Sequence, residues 1–217
     1  MVGFSFSMRL PQLLAETLPA GYILGTRTLL DFALYNETGN TKASFPICEA
    51  KKRGKGMPGE ASHFAVVLER IARNALAQFR DISDVDLNRP LELPESNTAF
   101  VLATHLIGSA EYWVLELAGG RDVQRDRLSE FRATGTGAEL AARYERWLAA
   151  MQVLLHTLLD ERLDQLVSVP ASYHPTLDEE PMTLRDALLH AVEHCALHQG
   201  HLELTRQLLG YSPAGAQ

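Results

Sequence analysis

The sequence predicts an all-α fold, a four-helix bundle, and three observations predict it. Four segments of roughly 20 or more residues, about 30 Å each, carry apolar side chains at helical spacing. The prolines all fall outside those segments, and Gly119–Gly120 closes one of them. No stretch alternates apolar and polar residues in the way a half-buried strand requires. With 217 residues, 46% of them hydrophobic and 22% charged, the chain can bury a real core as one main domain.

Residues 1–56 stand apart. They carry seven Lys/Arg against four Asp/Glu, whereas residues 57–217 carry 13 against 23, and they hold six of the 15 glycines and no histidine. Their apolar residues show no clean period, and Pro19, Gly21 and Gly25 interrupt them, so little regular structure is expected. Two readings stay open for this extension. It is a flexible arm, or it is an upstream stretch ahead of a native start at Met57, since Lys52–Gly56 back-translates into a purine-rich run like a bacterial ribosome-binding site. The bundle domain is assigned to residues 57–217.

The first helix is expected from Glu60 to Arg80, where Phe64, Val67, Leu68, Ile71, Ala75, Leu76 and Phe79 fall on one face. Residues 81–96, with Pro90 and Pro94, read as a loop, and Asn97 as the cap of a second helix over Thr98–Ala118 that stops at Gly119–Gly120. The charged stretch 121–134 reads as a short connector. Thr136–Glu139 has the spacing of a capping box and opens a third helix to about Arg162. A long loop follows over 163–182, with Pro170, Pro175, Pro181 and an acidic run at 178–180; a loop of that length beside a site more often serves function than not. Thr183–Asp186 is a second capping box, opening a fourth helix that ends near Gly210.

The fourth helix carries the chemistry. Four of the chain's eight histidines, His190, His194, His198 and His201, fall within twelve residues at gaps of four, four and three, which puts them on one helical face. Ala191, Cys195, Leu202 and Leu184 flank the stripe on one side and Leu197, Leu204 and Leu208 on the other, so the histidines are expected mid-way across an apolar arc, facing the core. A buried imidazole needs a hydrogen-bond partner or a metal. His194 and His198, one turn apart, can reach one ion. His105 is the third candidate ligand because it also lies on an inward face, with Ser109, Tyr112 and Glu116. Three neutral imidazoles leave coordination positions open, as a catalytic ion requires.

Several residues keep two readings at this level. Tyr112 is either a proton donor, the one catalytic candidate, or a packing residue. Arg125 and Arg127 either recognise an anion or pair with Asp126 and Glu130. Cys195, about 100° off the stripe, reads as core filling. His156 and His174 fit no pattern.

The order of elements, the run Thr104-His-Leu-Ile-Gly-Ser-Ala-Glu-Tyr-Trp113 and above all Glu193-His-Cys-Ala-Leu-His198-Gln-Gly-His201 resemble the DinB-like metal-dependent bundle superfamily, over about Met57 to Gly210. That superfamily includes bacterial thiol transferases and isomerases that use mycothiol or bacillithiol. The resemblance implies one divalent metal ion, zinc or nickel foremost, on His105, His194 and His198, with His190, His201 and Ser109 in the surrounding shell or pocket. It implies a small-molecule substrate, a low-molecular-weight thiol activated for transfer or addition to an electrophile.

Two other metal readings compete. His190-Ala-Val-Glu193-His194 matches the H-x-x-E-H spacing of certain metallopeptidases, with Glu193 as base. A di-iron site needs paired Glu-x-x-His motifs, and only Glu60-Ala-Ser-His63 fits. A non-catalytic alternative is a metal-binding or stress-associated module whose ion pins two helices together.

The net charge of −7 gives no electrostatic footprint for nucleic acid or an anionic membrane. Two cysteines are too few for a disulfide framework, and no apolar run reaches membrane-spanning length, so a cytoplasmic protein is expected, with a homodimer left open.

Overall fold

The computed structural model describes residues 59–170, 173 and 181–214. All of these fall in one of the two units into which the chain divides, Arg53–Gln217. The expectations for residues 1–56, and for His174 and the acidic run at 178–180, lie outside the described residues.

Four long helices make the bundle. α1 spans Glu60–Phe79; after a short α2 (Asp84–Leu87) comes α3 (Ala99–Ala110), which runs on as a π-helix over Glu111–Ala118. A short α4 (Arg127–Glu130) precedes α5 (Gly137–Thr157), and α6 (Leu184–Leu208) closes the fold. α1 packs on α5 and α6, and α3 packs on the same two helices. Chain-consecutive α1 and α3 therefore occupy opposite corners of the square, and residues 80–98 cross the bundle between them. This connectivity places α3 beside α6, where the site needs it.

Both capping boxes form as their spacing requires. Thr136 accepts from the backbone N–H of Glu139, whose carboxylate in turn accepts from the Thr136 N–H; Thr183 and Asp186 repeat the exchange at the start of α6. α3 starts one residue later than expected: Thr98, not Asn97, is the cap, its hydroxyl accepting from Val101 N–H. The loop 81–96 contains the one-turn α2 because the Ser83 hydroxyl caps it. The third helix ends at Thr157, not Arg162: Leu158 turns to extended backbone and a 3₁₀ turn occupies Asp160–Asp164. There the Asp160 carboxylate accepts from the free N–H groups of Glu60 and Ala61, capping α1 from across the bundle. Two short strands that no sequence pattern announces, β1 (Leu166–Val167) and β2 (Met182–Thr183), pair antiparallel, Leu166 opposite Thr183, and close the base of the long loop. Two residues are too few for alternation to register.

The core runs the length of the four helices, with Trp113, Tyr144, Phe79, Met151 and Leu188 among its fully buried side chains. Each such side chain stabilises the fold by about 1.5–3 kcal/mol through burial. Tyr144 is held by a hydrogen bond from its hydroxyl to Ala103 C=O (2.9 Å) and by an edge contact with Phe79. Among the described residues no helix is long and apolar enough to cross a membrane.

Candidate metal centre

α3 and α6 face each other, and the histidines lie between them. Every residue of α3 is buried, so the His105 ring is offered to the interior with no alternative in water. On α6 the buried positions are Leu184, Ala187, Leu188, Ala191, Cys195, Leu202 and Thr205, together with Arg206. The far flank differs from expectation. Leu197, Leu204 and Leu208 are 56%, 55% and 50% exposed, so the histidine stripe sits on the border of the core and not in the middle of an apolar arc. The periodicity of leucine alone cannot tell a buried flank from an exposed one.

His105, His194 and His198 come together: one ring nitrogen from each lies within 4.8 Å of the others, a group that could hold a metal ion. Ring centroids are 5.1 Å apart for His105–His194, 4.8 Å for His105–His198 and 4.4 Å for His194–His198. Two properties of these rings suit an ion. His194 Nδ1 is buried and has no hydrogen-bond partner among the described residues, an expensive arrangement for a ring nitrogen unless something occupies it. Burial, with the neighbouring imidazoles adding to it, pushes His194 down to about 2 and His198 down to about 3, so both are neutral and carry a free lone pair at any ordinary pH.

The third ring is oriented from outside the two helices. His105 Nδ1 is 2.7 Å from Glu130 Oε2, at the end of α4. Glu130 is 4% exposed and is gripped by Arg125, with Nε on Oε1 at 2.7 Å and Nη2 on Oε2 at 3.0 Å. Burial raises the Glu130 carboxyl, but the hydrogen bonds from His105 and Arg125 outweigh it and hold the group below the usual carboxylate range. An ionised Glu130 accepts only, so His105 Nδ1 is the donor to it, and in the neutral ring Nε2 holds the lone pair. Arg125 thus pairs with Glu130, one of its two expected readings, while Arg127 lies over the Phe131 ring at 5.4 Å. Phe131 in turn covers His105, with centroids 4.8 Å apart. Sequence reasoning offered Glu130 only as an ion-pair partner of Arg125 or Arg127 and missed its contact with His105. Its helix has one turn, too short for a periodic signal to set its direction.

The remaining sequence candidates surround the group. His190 packs on Trp113 at 4.4 Å and reaches His194 only at 5.7 Å. His201 is exposed, its Nδ1 3.4 Å from His198 Nδ1. Ser109 is buried one turn beyond His105. Tyr112 is buried against Trp113 and stacked on Tyr173 at 4.4 Å. Burial, with Glu116 and Tyr173 adding to it, pushes the Tyr112 hydroxyl up to about 12. The expected continuous face from His105 to Glu116 is broken by the π-helical winding after Ala110, and Glu116 instead accepts from Val123 N–H. π-turns of this kind recur at functional sites. Cys195 is buried and its thiol is pushed up to about 12 by that burial, so it fills the core and is no nucleophile.

The geometry disfavours both competing metal readings. Glu193 is exposed and His190 is outside the three-nitrogen group, so H-x-x-E-H gathers no site. Glu60 is bound to Arg185 and His63 is exposed, and among the described residues no carboxylate group gathers for di-iron.

Fold and site define the class: an all-α, DinB-like helical bundle with a three-histidine group able to hold a metal ion between its second and fourth long helices. The chain belongs to the mycothiol-S-transferase family, whose pattern it matches over residues 64–210. Comparison with curated proteins finds no match. Among solved structures, the chain is similar to the crystal structure of a conserved protein from Enterococcus faecalis, with a TM-score of 0.48 and 16% identity, covering 69% of this chain and 94% of that one.

Proposed function

We propose that the protein is a metal-dependent enzyme that brings a low-molecular-weight thiol to a small electrophile, with one divalent ion on His105, His194 and His198. The observation that carries this reading is the meeting of three imidazoles, two of them held neutral and one with an unpartnered buried nitrogen, in a member of a thiol-transferase family. An ion bound there supplies Lewis acidity, the property that lets a thiol be held as thiolate near neutral pH.

The chain's own residues do the rest. Glu130 holds the proton on His105 Nδ1, which fixes that ring's tautomer and direction. Phe131 on one side and Trp113, through His190, on the other form apolar walls that limit water around the rings. His201, exposed and next to His198, is assigned to the outer edge, and Ser109 and His190 to the surrounding shell. Tyr112 is assigned to the wall, since its hydroxyl keeps its proton over the working range. In the reaction the thiol gives up its proton to solvent water, its sulfur forms a bond to the electrophilic carbon, and the leaving group departs as an anion with the bonding pair. In an addition the proton returns to the product instead.

Two measurements test the proposal together. Elemental analysis of protein purified without chelator should find about one first-row metal per chain, lost in His194→Ala/His198→Ala. Metal-loaded protein should then turn over a panel of small thiols with a chromogenic aryl halide. Absence of stoichiometric metal refutes the site. Metal without turnover, joined to a large loss of thermal stability on chelation, refutes the enzyme and leaves the ion as a pin between α3 and α6.

A further inference from the structure

The carboxylate that orients His105 comes from a connector outside the four-helix square, and its placement is unusually constrained. We infer that Gly108 and Arg125 are positioning residues of the metal centre: together they hold Glu130 where it must stand for His105 to offer Nε2 to an ion. The inference rests on the metal reading above and goes beyond it, since neither residue can touch the ion.

Gly108 lies on α3 three residues after His105, on the side that meets α4. A Cβ built on it would stand 2.2 Å from Glu130 Oε1 and 2.9 Å from Glu130 Cδ. Real Cβ atoms do not approach so closely, and the neighbour here is a carboxylate already fixed at both oxygens. Glycine at 108 is therefore required by the room the carboxylate occupies. Its backbone is ordinary helix, so no left-handed conformation explains it, and a glycine inside a helix costs about 1 kcal/mol relative to alanine. That cost is offset by the entry of a buried carboxylate against the helix.

Arg125 holds the other side. Its side chain is only 4% exposed and uses Nε and Nη2 on the two carboxylate oxygens, which leaves Glu130 no freedom to rotate. Arg125 is itself fixed. Its guanidinium lies 5.3 Å from the Tyr173 ring centroid and 5.9 Å from that of Tyr112, and the Tyr173 hydroxyl donates to Arg125 C=O at 2.8 Å. Oε2 thus accepts from both Arg125 Nη2 and His105 Nδ1, and Oε1 faces Gly108. A methyl at 108 must push Oε1 away from α3. With the fork of Arg125 rigid, the displacement tilts the carboxylate and lengthens its bond to His105.

The test is a double-mutant cycle on metal affinity, read by competition with a chromophoric chelator for zinc. The variants are Gly108→Ala, Glu130→Ala, the two combined, and Arg125→Lys with and without Glu130→Ala. Loss of an outer-shell partner typically weakens metal binding about 10–100-fold, and Gly108→Ala and Arg125→Lys should each fall in that range with the apo melting temperature near wild type. In the Glu130→Ala background the same two changes should weaken binding no further, because the group they position is gone. Cobalt-loaded Gly108→Ala should also show a shifted visible spectrum, which a change confined to stability would not produce. If Gly108→Ala does not fold, the Arg125→Lys pair decides alone. Single variants binding zinc within about twofold of wild type, or effects that add in the Glu130→Ala background, overturn the inference. A wild type that binds no zinc overturns the metal reading itself, and this inference with it.

Discussion

The affinity of the proposed site for metal should fall by no more than one proton's worth across the mildly acidic range, because two of its three proposed ligands are already stripped of their protons. An ordinary histidine with a pKa near 6.5 is about three-quarters neutral at pH 7.0 and about one-eleventh neutral at pH 5.5, so proton competition weakens it as a ligand about 8-fold. Three such ligands would lose a combined factor of about 600. Burial and neighbouring rings push His194 down to about 2 and His198 down to about 3, which removes both from that competition above about pH 4. The dissociation constant for zinc should therefore rise by no more than about 30-fold between pH 7.0 and 5.5, the ceiling for a single proton over that interval. Chelator competition at four pH values, corrected for the chelator's own protonation and paired with circular dichroism to confirm the fold, measures it. A slope of two or more protons per ion below pH 6 would show that His194 and His198 are charged in the metal-free protein, and the reasoning from burial would fail.

The same shifts predict acid sensitivity of the metal-free fold. Both folded values lie below the unfolded value near 6.5, so the unfolded chain binds more protons. The stability these groups contribute is complete above about pH 6.5 and is lost as pH falls from there toward about 3, at a limit of about 2.7 kcal/mol per pH unit for the pair. Urea midpoints at pH 7, 6 and 5 should fall in step, and a flat series would contradict this. Glu193→Gln should leave metal content and turnover unchanged while His198→Ala abolishes metal binding; the reverse pattern would restore the H-x-x-E-H reading. Tyr112→Phe should keep turnover within about threefold, the effect of a wall residue; a loss of about 100-fold or more would make Tyr112 a proton donor. Thr183→Ala removes the cap of α6 and should cost about 1 kcal/mol in thermal denaturation, with zinc affinity retained.

Much of this architecture is legible in sequence because it is written in long periods. α1, α5 and α6 each present an apolar face over five turns or more, and the two capping boxes mark the starts of α5 and α6 to the residue. His194 and His198 are legible for the same reason, being one turn apart on a helix whose existence is not in doubt. What escaped is short or three-dimensional. Glu130 sits in a one-turn helix and acquires its role only when α4 folds against Gly108. The β1–β2 pair joins residues 15 and 17 positions apart with two residues in each strand. The π-helical winding over Glu111–Ala118 has no composition that sets it apart from α-helix, yet it shifts which side chains follow His105 on one face.

The misplaced flank of α6 matters most for function. Had Leu197, Leu204 and Leu208 been buried, as their spacing suggested, the three rings would be sealed in the core, and an ion among them could only be structural. Their exposure, with that of His201, puts the group at the edge of the bundle, where α6 turns from core to surface. Two demands that usually conflict are met there. On the inner side, burial keeps His194 and His198 neutral and shields the Glu130–Arg125 pair, whose strength depends on a low-dielectric setting. On the outer side, the stripe borders the exposed Leu197, Leu204 and His201, the side from which a small molecule would come in the proposed reaction. A helix that carried its histidines either 60° further in or 60° further out would lose one of these conditions, the access or the lone pairs.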